Sequence, residues 1–401
     1  MVKFEKALIG GSLVLLVTFN LFNLLNFIFQ FAMARMLSVS DYGTLATLFS
    51  IVYIVGIFSE SIQTIMTKYS SNESNSGKIK NLVKRSLRKS FVFSSAIFVA
   101  YLLLMIFFSP LLKIGYSLLA LNGLMIFTSF LLPISRGVLQ GKKKFKDLGI
   151  NVIIEAIIKL LLAVVLVFVG WKVYGAIIAT VLGAFVSLAL SFSMLKPIFK
   201  SKKLEMPTQG IYNYSTPVFF VLLSLILFYS LDVIIAKIVF PEEIAGAYAI
   251  ASVLAKIVFI GTQPISKAMF PLSAESKTVN KSENILINSY LIILGLIVIA
   301  LLITFFFSDL IVLIFSGKYV SSASGVLFYL SIGTSLLSIA SLNLFYKLSI
   351  GKTKGFAYLF VIVLLEIILL FYFSSNIFLF SIAFITSSAI YLWGAVFLVG
   401  R

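Results

Sequence analysis

The chain has 401 residues, of which 61% are hydrophobic and 11% charged. Soluble domains are about 45–50% apolar and about 25% charged, so this composition excludes an ordinary soluble protein. The formal charge is +18, from 32 Lys and Arg against 14 Asp and Glu, and the chain contains neither Cys nor His. Disulfides, a thiol nucleophile and a histidine-bound metal are therefore excluded, and no cofactor is expected.

Twelve apolar segments follow one another, each long enough to cross a bilayer as a helix of about 20 residues. The first follows Lys3 and Lys6 as a signal peptide would, but its apolar run is too long for one. We therefore predict an all-α polytopic membrane protein with twelve transmembrane helices. The segments lie near 7–32, 42–66, 91–112, 114–134, 148–169, 173–195, 211–240, 244–269, 285–307, 322–345, 355–374 and 376–400.

The basic residues alternate between the connections. The N-terminus, the even-numbered connections and the C-terminus hold 25 Lys and Arg, whereas the odd-numbered connections hold five. By the positive-inside rule both termini are cytoplasmic, and the basic segments face the anionic inner leaflet rather than a nucleic acid. We expect a multi-pass protein in the plasma membrane of a prokaryote.

The two halves of the chain resemble each other. Four pairs of segments match in the same order at an offset of about 200 residues: 34–43 with 236–246, 62–66 with 265–269, 107–111 with 306–310, and 141–155 with 351–366. Six spans in each copy keep both copies in the same orientation, which gives a parallel repeat. We predict an N-lobe over 1–195, a cytoplasmic linker over 196–210 and a C-lobe over 211–401.

Three short motifs resemble a known family. They are Ala34-Arg35-Met36-Leu37-Ser38-Val39-Ser40-Asp41-Tyr42-Gly43, the run from Ser230 through Lys237 to Tyr248, and Arg136-Gly137-Val138-Leu139-Gln140-Gly141 with Phe145. They are similar to motifs of the Wzx-like polysaccharide flippases of the multidrug/oligosaccharidyl-lipid/polysaccharide exporter superfamily. The resemblance implies a two-lobed transporter and not an enzyme. It would move polyprenyl-pyrophosphate-linked oligosaccharide from the inner to the outer leaflet by alternating access, for polysaccharide biosynthesis.

The same resemblance implies the partners of the protein. They are the lipid-linked oligosaccharide, membrane lipids, and the glycosyltransferases and polymerase of the same pathway, with no nucleic acid. The chain has no Walker-type Gly-x-x-x-x-Gly-Lys-Ser/Thr loop, so an ion gradient or the membrane potential is the expected energy source.

Ionisable side chains at bilayer depth are costly, so each is a functional candidate with a partner to be found. Six qualify at that depth: Glu60, Glu155, Lys159, Asp232, Lys256 and Glu366. Glu155 and Lys159 are four residues apart on one helix and are predicted to pair. Asp232 and Lys256 lie at similar depths in spans 7 and 8 and form a second predicted pair. A purely structural role is compatible with both pairs.

Repeat symmetry selects further candidates. Arg35 and Lys237 occupy matched positions at the outer ends of spans 1 and 7. If these spans line a cavity between the lobes, as the resemblance implies, both cations could bind pyrophosphate. The alternative is that they reach lipid headgroups from their helix ends. Arg136 could meet the incoming headgroup at the cytoplasmic end of span 4, or could simply be one more inside-positive residue.

These candidates divide into two predicted sets. The substrate-binding set is Arg35, Lys237, Asp232, Lys256, Arg136 and Glu60. The ion-coupling set is Glu366, Glu155 and Lys159, in which Glu366 is repeat-related to Glu155 and has no basic residue within four positions.

Two other functions remain open. An ion-coupled multidrug or organic-cation exporter of the same fold should have a site lined by carboxylates, whereas the candidates here carry both signs. A membrane glycosyltransferase or glycan polymerase should have long outer loops, whereas most odd-numbered connections are very short.

Overall fold

A computed structural model of the chain describes residues 2–205, 215–274, 279–352 and 354–399, and none of these residues lies in a strand. The α-helices, in chain order, are α1 Val2–Met36, α2 Val39–Asn72, α3 Ser76–Leu112, α4 Tyr116–Gly123, α5 Met125–Gly141, α6 Phe145–Leu166, α7 Lys172–Met194, α8 Lys196–Lys200, α9 Ser215–Val239, α10 Glu242–Ala274, α11 Val279–Ser316, α12 Ser321–Ser349, α13 Ala357–Tyr372 and α14 Ile377–Phe397.

Ten helical stretches of the described chain are long and apolar enough to cross a membrane. One of them, Phe145–Met194, contains both α6 and α7, and it is broken at Gly170, whose φ is 98°. Glycine adopts this left-handed backbone without a Cβ clash, so a new helix direction can start here. The helix α13 is shorter, with 16 residues. The all-α polytopic fold is thus confirmed, and the count of twelve spans stays a prediction.

The chain divides into two compact units. The first comprises Met1–Leu37 with Val55–Asn213, and the second comprises Ser38–Ile54 with Tyr214–Arg401. The first part of α2 therefore belongs to the second unit, whereas the predicted N-lobe over 1–195 placed all of α2 in the first. The proposed linker 196–210 begins with α8 inside the first unit, and its residues 206–210 lie outside the described residues.

The cores of the two units contain repeat-related residues. Met66 is 2% exposed and packs with Ile134 and Val152 in the first unit. Met269 is 1% exposed and packs with residues of α11 and α12 in the second unit. Lipid tails are as apolar as these side chains, so the hydrophobic effect does not drive the helices together inside a membrane. Close packing of side chains holds the core instead. The matched positions thus have the same structural role in both copies.

Two repeat-related glycines meet inside the second unit. Gly43 on α2 lies so close to Gly246 on α10 that a Cβ on Gly43 would be 2.6 Å from the Cα of Gly246. A Cβ on Gly246 would be 2.1 Å from the carbonyl oxygen of Val39. Small residues allow such backbone contact between membrane helices.

The Gly246→Ala substitution is expected to destabilise the second unit by about 1–3 kcal/mol, because the two atoms nearest to its methyl group belong to the backbone of Val39 and cannot move aside easily. Gly261 is the matched control on the same helix, since a Cβ there meets nothing within 4 Å. Gly261→Ala should be neutral or stabilising by up to about 1 kcal/mol, as alanine favours helix. Thermal unfolding midpoints in detergent measure both, and equal shifts would contradict the close packing.

Candidate functional site

A buried polar cluster surrounds Asp232 in the second unit. One carboxylate oxygen of Asp232 accepts a hydrogen bond from Lys256 Nζ at 2.8 Å, which confirms the predicted ion pair. The other oxygen accepts hydrogen bonds from Ser252 Oγ at 2.7 Å and from the Tyr248 hydroxyl at 3.2 Å. The ammonium of Lys256 also lies 4.6 Å from the ring centroid of Tyr229. Asp232 and Lys256 are 0% and 5% exposed, so both charges depend on these contacts.

The geometry of this cluster follows from helix periodicity. Tyr248, Ser252 and Lys256 are four residues apart in succession on α10, so they share one face of the helix. Asp232 on α9 accepts from all three. Of the four residues of this cluster, the two charged ones were predicted from the sequence. The spacing of Tyr248 and Ser252 from Lys256 was the signal that could have identified the others.

Glu366 on α13 lies in the same unit and is 0% exposed. Both of its carboxylate oxygens are buried, and neither has a hydrogen-bond partner among the described residues. Asp232 and Lys256 are near enough to act on it electrostatically. An isolated charge in an apolar interior is very costly, so this carboxyl group needs a proton or a cation to neutralise it.

A second polar cluster lies in the first unit, around Arg136 on α5. Its guanidinium donates to Glu155 in a salt bridge, to Asn151 Oδ1 at 2.8 Å and to Ser187 Oγ at 3.0 Å. Asn151 in turn donates to the carbonyl oxygen of Ser187 at 2.8 Å. Arg136 therefore joins α5, α6 and α7.

The expected Glu155–Lys159 pair is not the arrangement found. Glu155 pairs with Arg136 on the neighbouring helix, whereas Lys159 donates to Asn26 Oδ1 on α1 and lies 4.6 Å from the ring centroid of Phe29. The guanidinium of Arg136 reaches the Glu155 carboxylate directly from α5. This ion pair forms in place of the one predicted between Glu155 and Lys159.

The two repeat-related cations have different environments. Arg35, near the end of α1, is exposed, and its guanidinium carbon lies 4.6 Å from the ring centroid of Phe31. Lys237 on α9 is only 1% exposed within the second unit. Glu60 is exposed on α2 in the first unit. Sequence symmetry therefore predicted equivalent positions along the two helices but not equal access to solvent.

The two clusters differ in net charge and in whether their carboxylates have hydrogen-bond partners. The Arg136 cluster, with Lys159, has one more cation than carboxylates, and its carboxylate is paired. The Asp232 cluster, with Glu366, has one more carboxylate than cations. The Asp232 cluster therefore lies beside a carboxyl group that lacks a hydrogen-bond partner among the described residues, whereas the Arg136 cluster connects three helices.

Solved transporters share this architecture. A multidrug resistance transporter of the MATE family in an inward-facing conformation matches with a TM-score of 0.76 and 12% identity, over 94% of this chain and 93% of that one. The lipid II flippase MurJ in an inward closed conformation matches with a TM-score of 0.70 and 16% identity, over 96% of this chain and 87% of that one. A MOP superfamily transporter from Pyrococcus furiosus matches with a TM-score of 0.64 and 14% identity, over 98% of this chain and 94% of that one. The fold is that of the MOP superfamily transporters.

The family follows from the sequence. The family model described as polysaccharide biosynthesis protein matches residues 9–277, and the chain belongs to this family. The resemblance drawn from the motifs is thereby confirmed. An uncharacterized membrane protein from Methanocaldococcus jannaschii is 27% identical over an alignment of 171 residues, and the match covers 39% of this chain and 41% of that protein. The matched region thus spans less than half of that relative.

Proposed function

We propose that the protein is a flippase that moves polyprenyl-pyrophosphate-linked oligosaccharide from the inner to the outer leaflet of a prokaryotic plasma membrane. Membership of the polysaccharide biosynthesis family is the observation that carries this proposal. The fold shared with the lipid II flippase MurJ supports a lipid-linked substrate. Both termini would be cytoplasmic, as the distribution of basic residues predicts.

In this proposal Arg35 binds the pyrophosphate during alternating access, and Arg136 lies at the cytoplasmic entrance. Lys237 is buried in this conformation, so it would contact the pyrophosphate only after a conformational change. The exposed guanidinium of Arg35 can donate two parallel hydrogen bonds to phosphate oxygens. Arg136 is already committed to Glu155, Asn151 and Ser187, so its role would be to hold the entrance helices.

Ion coupling is assigned to Glu366. Its buried carboxyl group needs a proton or a cation, and the gain or loss of that charge would change the balance around Asp232 and Lys256. A charge crossing 100 mV contributes about 2.3 kcal/mol, which would favour one direction of the cycle. The other two residues predicted for coupling, Glu155 and Lys159, have partners in the first unit and would act as structural supports.

The two rival functions receive less support. The Asp232 carboxylate is already occupied by Lys256, which leaves it unsuited to an organic cation. The connections predicted to lie outside are short: the longest, 167–171 between α6 and α7, has five residues, and 317–320 and 373–376 have four each. Such connections leave little room for the active site of a polymerase.

Reconstitution in liposomes tests the proposed function. The purified protein is expected to move a pyrophosphate-linked oligosaccharide between leaflets, as measured by a leaflet-specific lectin or enzyme. A pyrophosphate-free polyprenyl alcohol and a cationic dye are the comparison substrates. Transport of the dye but not of the oligosaccharide would replace the proposal with a drug exporter, and extension of the glycan would indicate a polymerase.

In the same assay, Arg35→Ala is expected to lower transport by about tenfold or more, because one charge-assisted contact to phosphate is lost. Arg35→Lys should recover part of the rate, since it restores the charge but not the bidentate geometry. Both variants should insert into the membrane and unfold as the native protein does, because the side chain is exposed. Equal transport by Arg35→Ala and the native protein would remove Arg35 from the substrate path.

A further inference from the structure

A cavity of about 1090 Å³ lies within the first unit, between α2, α3 and α5. Its volume is at the upper limit of ordinary ligand pockets, which hold about 300–1,000 Å³. It contains none of the residues of the Arg136 cluster, and none of the motifs described above accounts for it. One part of its wall is cationic and another is aromatic.

Five basic side chains line the cationic part: Lys84, Arg85, Arg88 and Lys89 on α3, and Lys203 in the segment after α8. All five are exposed, and no Asp or Glu is among the described residues of the wall. Lys84 and Arg88 are four residues apart on one helix, as are Arg85 and Lys89, a spacing at which like charges repel. An anion bound among them would offset that repulsion.

Three phenylalanine rings form the aromatic part. The Phe58 ring stacks on the ring of Phe130 with centroids 5.0 Å apart, and the ring of Phe93 meets that of Phe130 edge-on at 5.6 Å. Along α3 the wall changes from the cations at 84–89 to Val92 and Ala96. At 1.5 Å per residue, about 12 Å separate Arg88 from Ala96, so both surfaces can contact one amphiphile.

We propose that this cavity binds the pyrophosphate and the first isoprene units of the lipid-linked substrate while it is still in the cytoplasmic leaflet. This step rests on the proposed function and adds a loading site that precedes transport. A pyrophosphate has more negative charge than the single phosphodiester of a membrane phospholipid, and it matches a group of five cations better. The aromatic part holds the chain, so neither the headgroup nor the chain alone should bind as well as the whole lipid.

Equilibrium binding of radiolabelled farnesyl pyrophosphate to the purified full-length protein in detergent tests this site. We expect binding that is tighter by roughly tenfold or more than that of inorganic pyrophosphate or farnesol, because each lacks one of the two contacts. A Lys84→Gln/Arg88→Gln double variant should lose roughly tenfold in affinity. Lys203→Gln should also weaken binding, and because Lys203 lies outside the helices this substitution changes no residue of α3.

The matched control is Lys144→Gln/Lys146→Gln, which removes the same charge from exposed positions outside the cavity. It should leave the affinity within about twofold of the native value. Equal losses in both double variants would mean general electrostatic attraction and would overturn the site. So would competition by phosphatidylglycerol at equal concentration, or unchanged binding in the Lys84/Arg88 variant. The assay needs no transport, so native binding without flipping would refute the proposed function and leave the cavity assignment standing.

Discussion

Replacing Lys256 with methionine is expected to lower the free energy of unfolding by about 3–5 kcal/mol. The substitution leaves the Asp232 carboxylate fully buried, and its remaining hydrogen bonds among those described come from the hydroxyl groups of Ser252 and Tyr248. Removing one member of a buried ion pair is far more costly than removing both, because the remaining charge has no counter-charge. Denaturant titration in mixed micelles measures the change.

The double variant Asp232→Asn/Lys256→Met gives the test its second arm. Because neither charge remains, it should recover much of the stability that Lys256→Met loses. Lys267→Met is the matched control, since Lys267 is an exposed lysine on the same helix, and its effect should stay within about 0.5 kcal/mol. If Lys256→Met and Lys267→Met have the same stability, the ion pair contributes nothing. Transport by the double variant then distinguishes a structural pair from a substrate contact.

Glu366→Gln is expected to abolish the dependence of transport on an ion gradient while the protein remains folded. Glutamine keeps the shape of the side chain but has no negative charge for a proton or a cation to neutralise, so it removes the proposed coupling group. Coupling energies of 1–3 kcal/mol correspond to about 5–150-fold effects, and a loss of roughly tenfold in gradient-driven transport is expected. The measurement is the liposome assay with and without an imposed proton or Na⁺ gradient.

The repeat-related Glu155→Gln is the control for that experiment. Its carboxylate is neutralised by Arg136, so its loss should reduce stability by about 1–3 kcal/mol without changing the response to the gradient. A fully active Glu366→Gln protein with unchanged ion dependence would end the coupling assignment. Identical behaviour of the two glutamine variants would show that the different environments of the two glutamates have no functional meaning.

Much of the fold could be predicted from the sequence, because lipid imposes simple rules. Apolar length predicts the spans, and the duplication pairs Met66 with Met269, which the structure places in the core of their respective units. The Asp232–Lys256 pair could be predicted because a charge in lipid must find a partner at its own depth.

The partners of Glu155 and Lys159 could not be predicted in this way. Spacing along α6 places these two side chains on one face, but it contains no information about which helices pack against that face. Arg136 and Asn26 approach from α5 and α1 and replace the local pair. The burial of Lys237 and the cavity beside α3 likewise depend on tertiary packing, which a single sequence does not encode locally.

The different environments of Glu155 and Glu366 have a consequence for the stoichiometry of the proposed transport cycle. A homodimer must present every residue twice, because its symmetry makes both halves identical. Fusion of the two copies into one chain removes that requirement. Here one copy uses its glutamate as a brace and the other leaves its glutamate without a hydrogen-bond partner among the described residues. The stoichiometry of driving ion to lipid would then be set by a single carboxyl group.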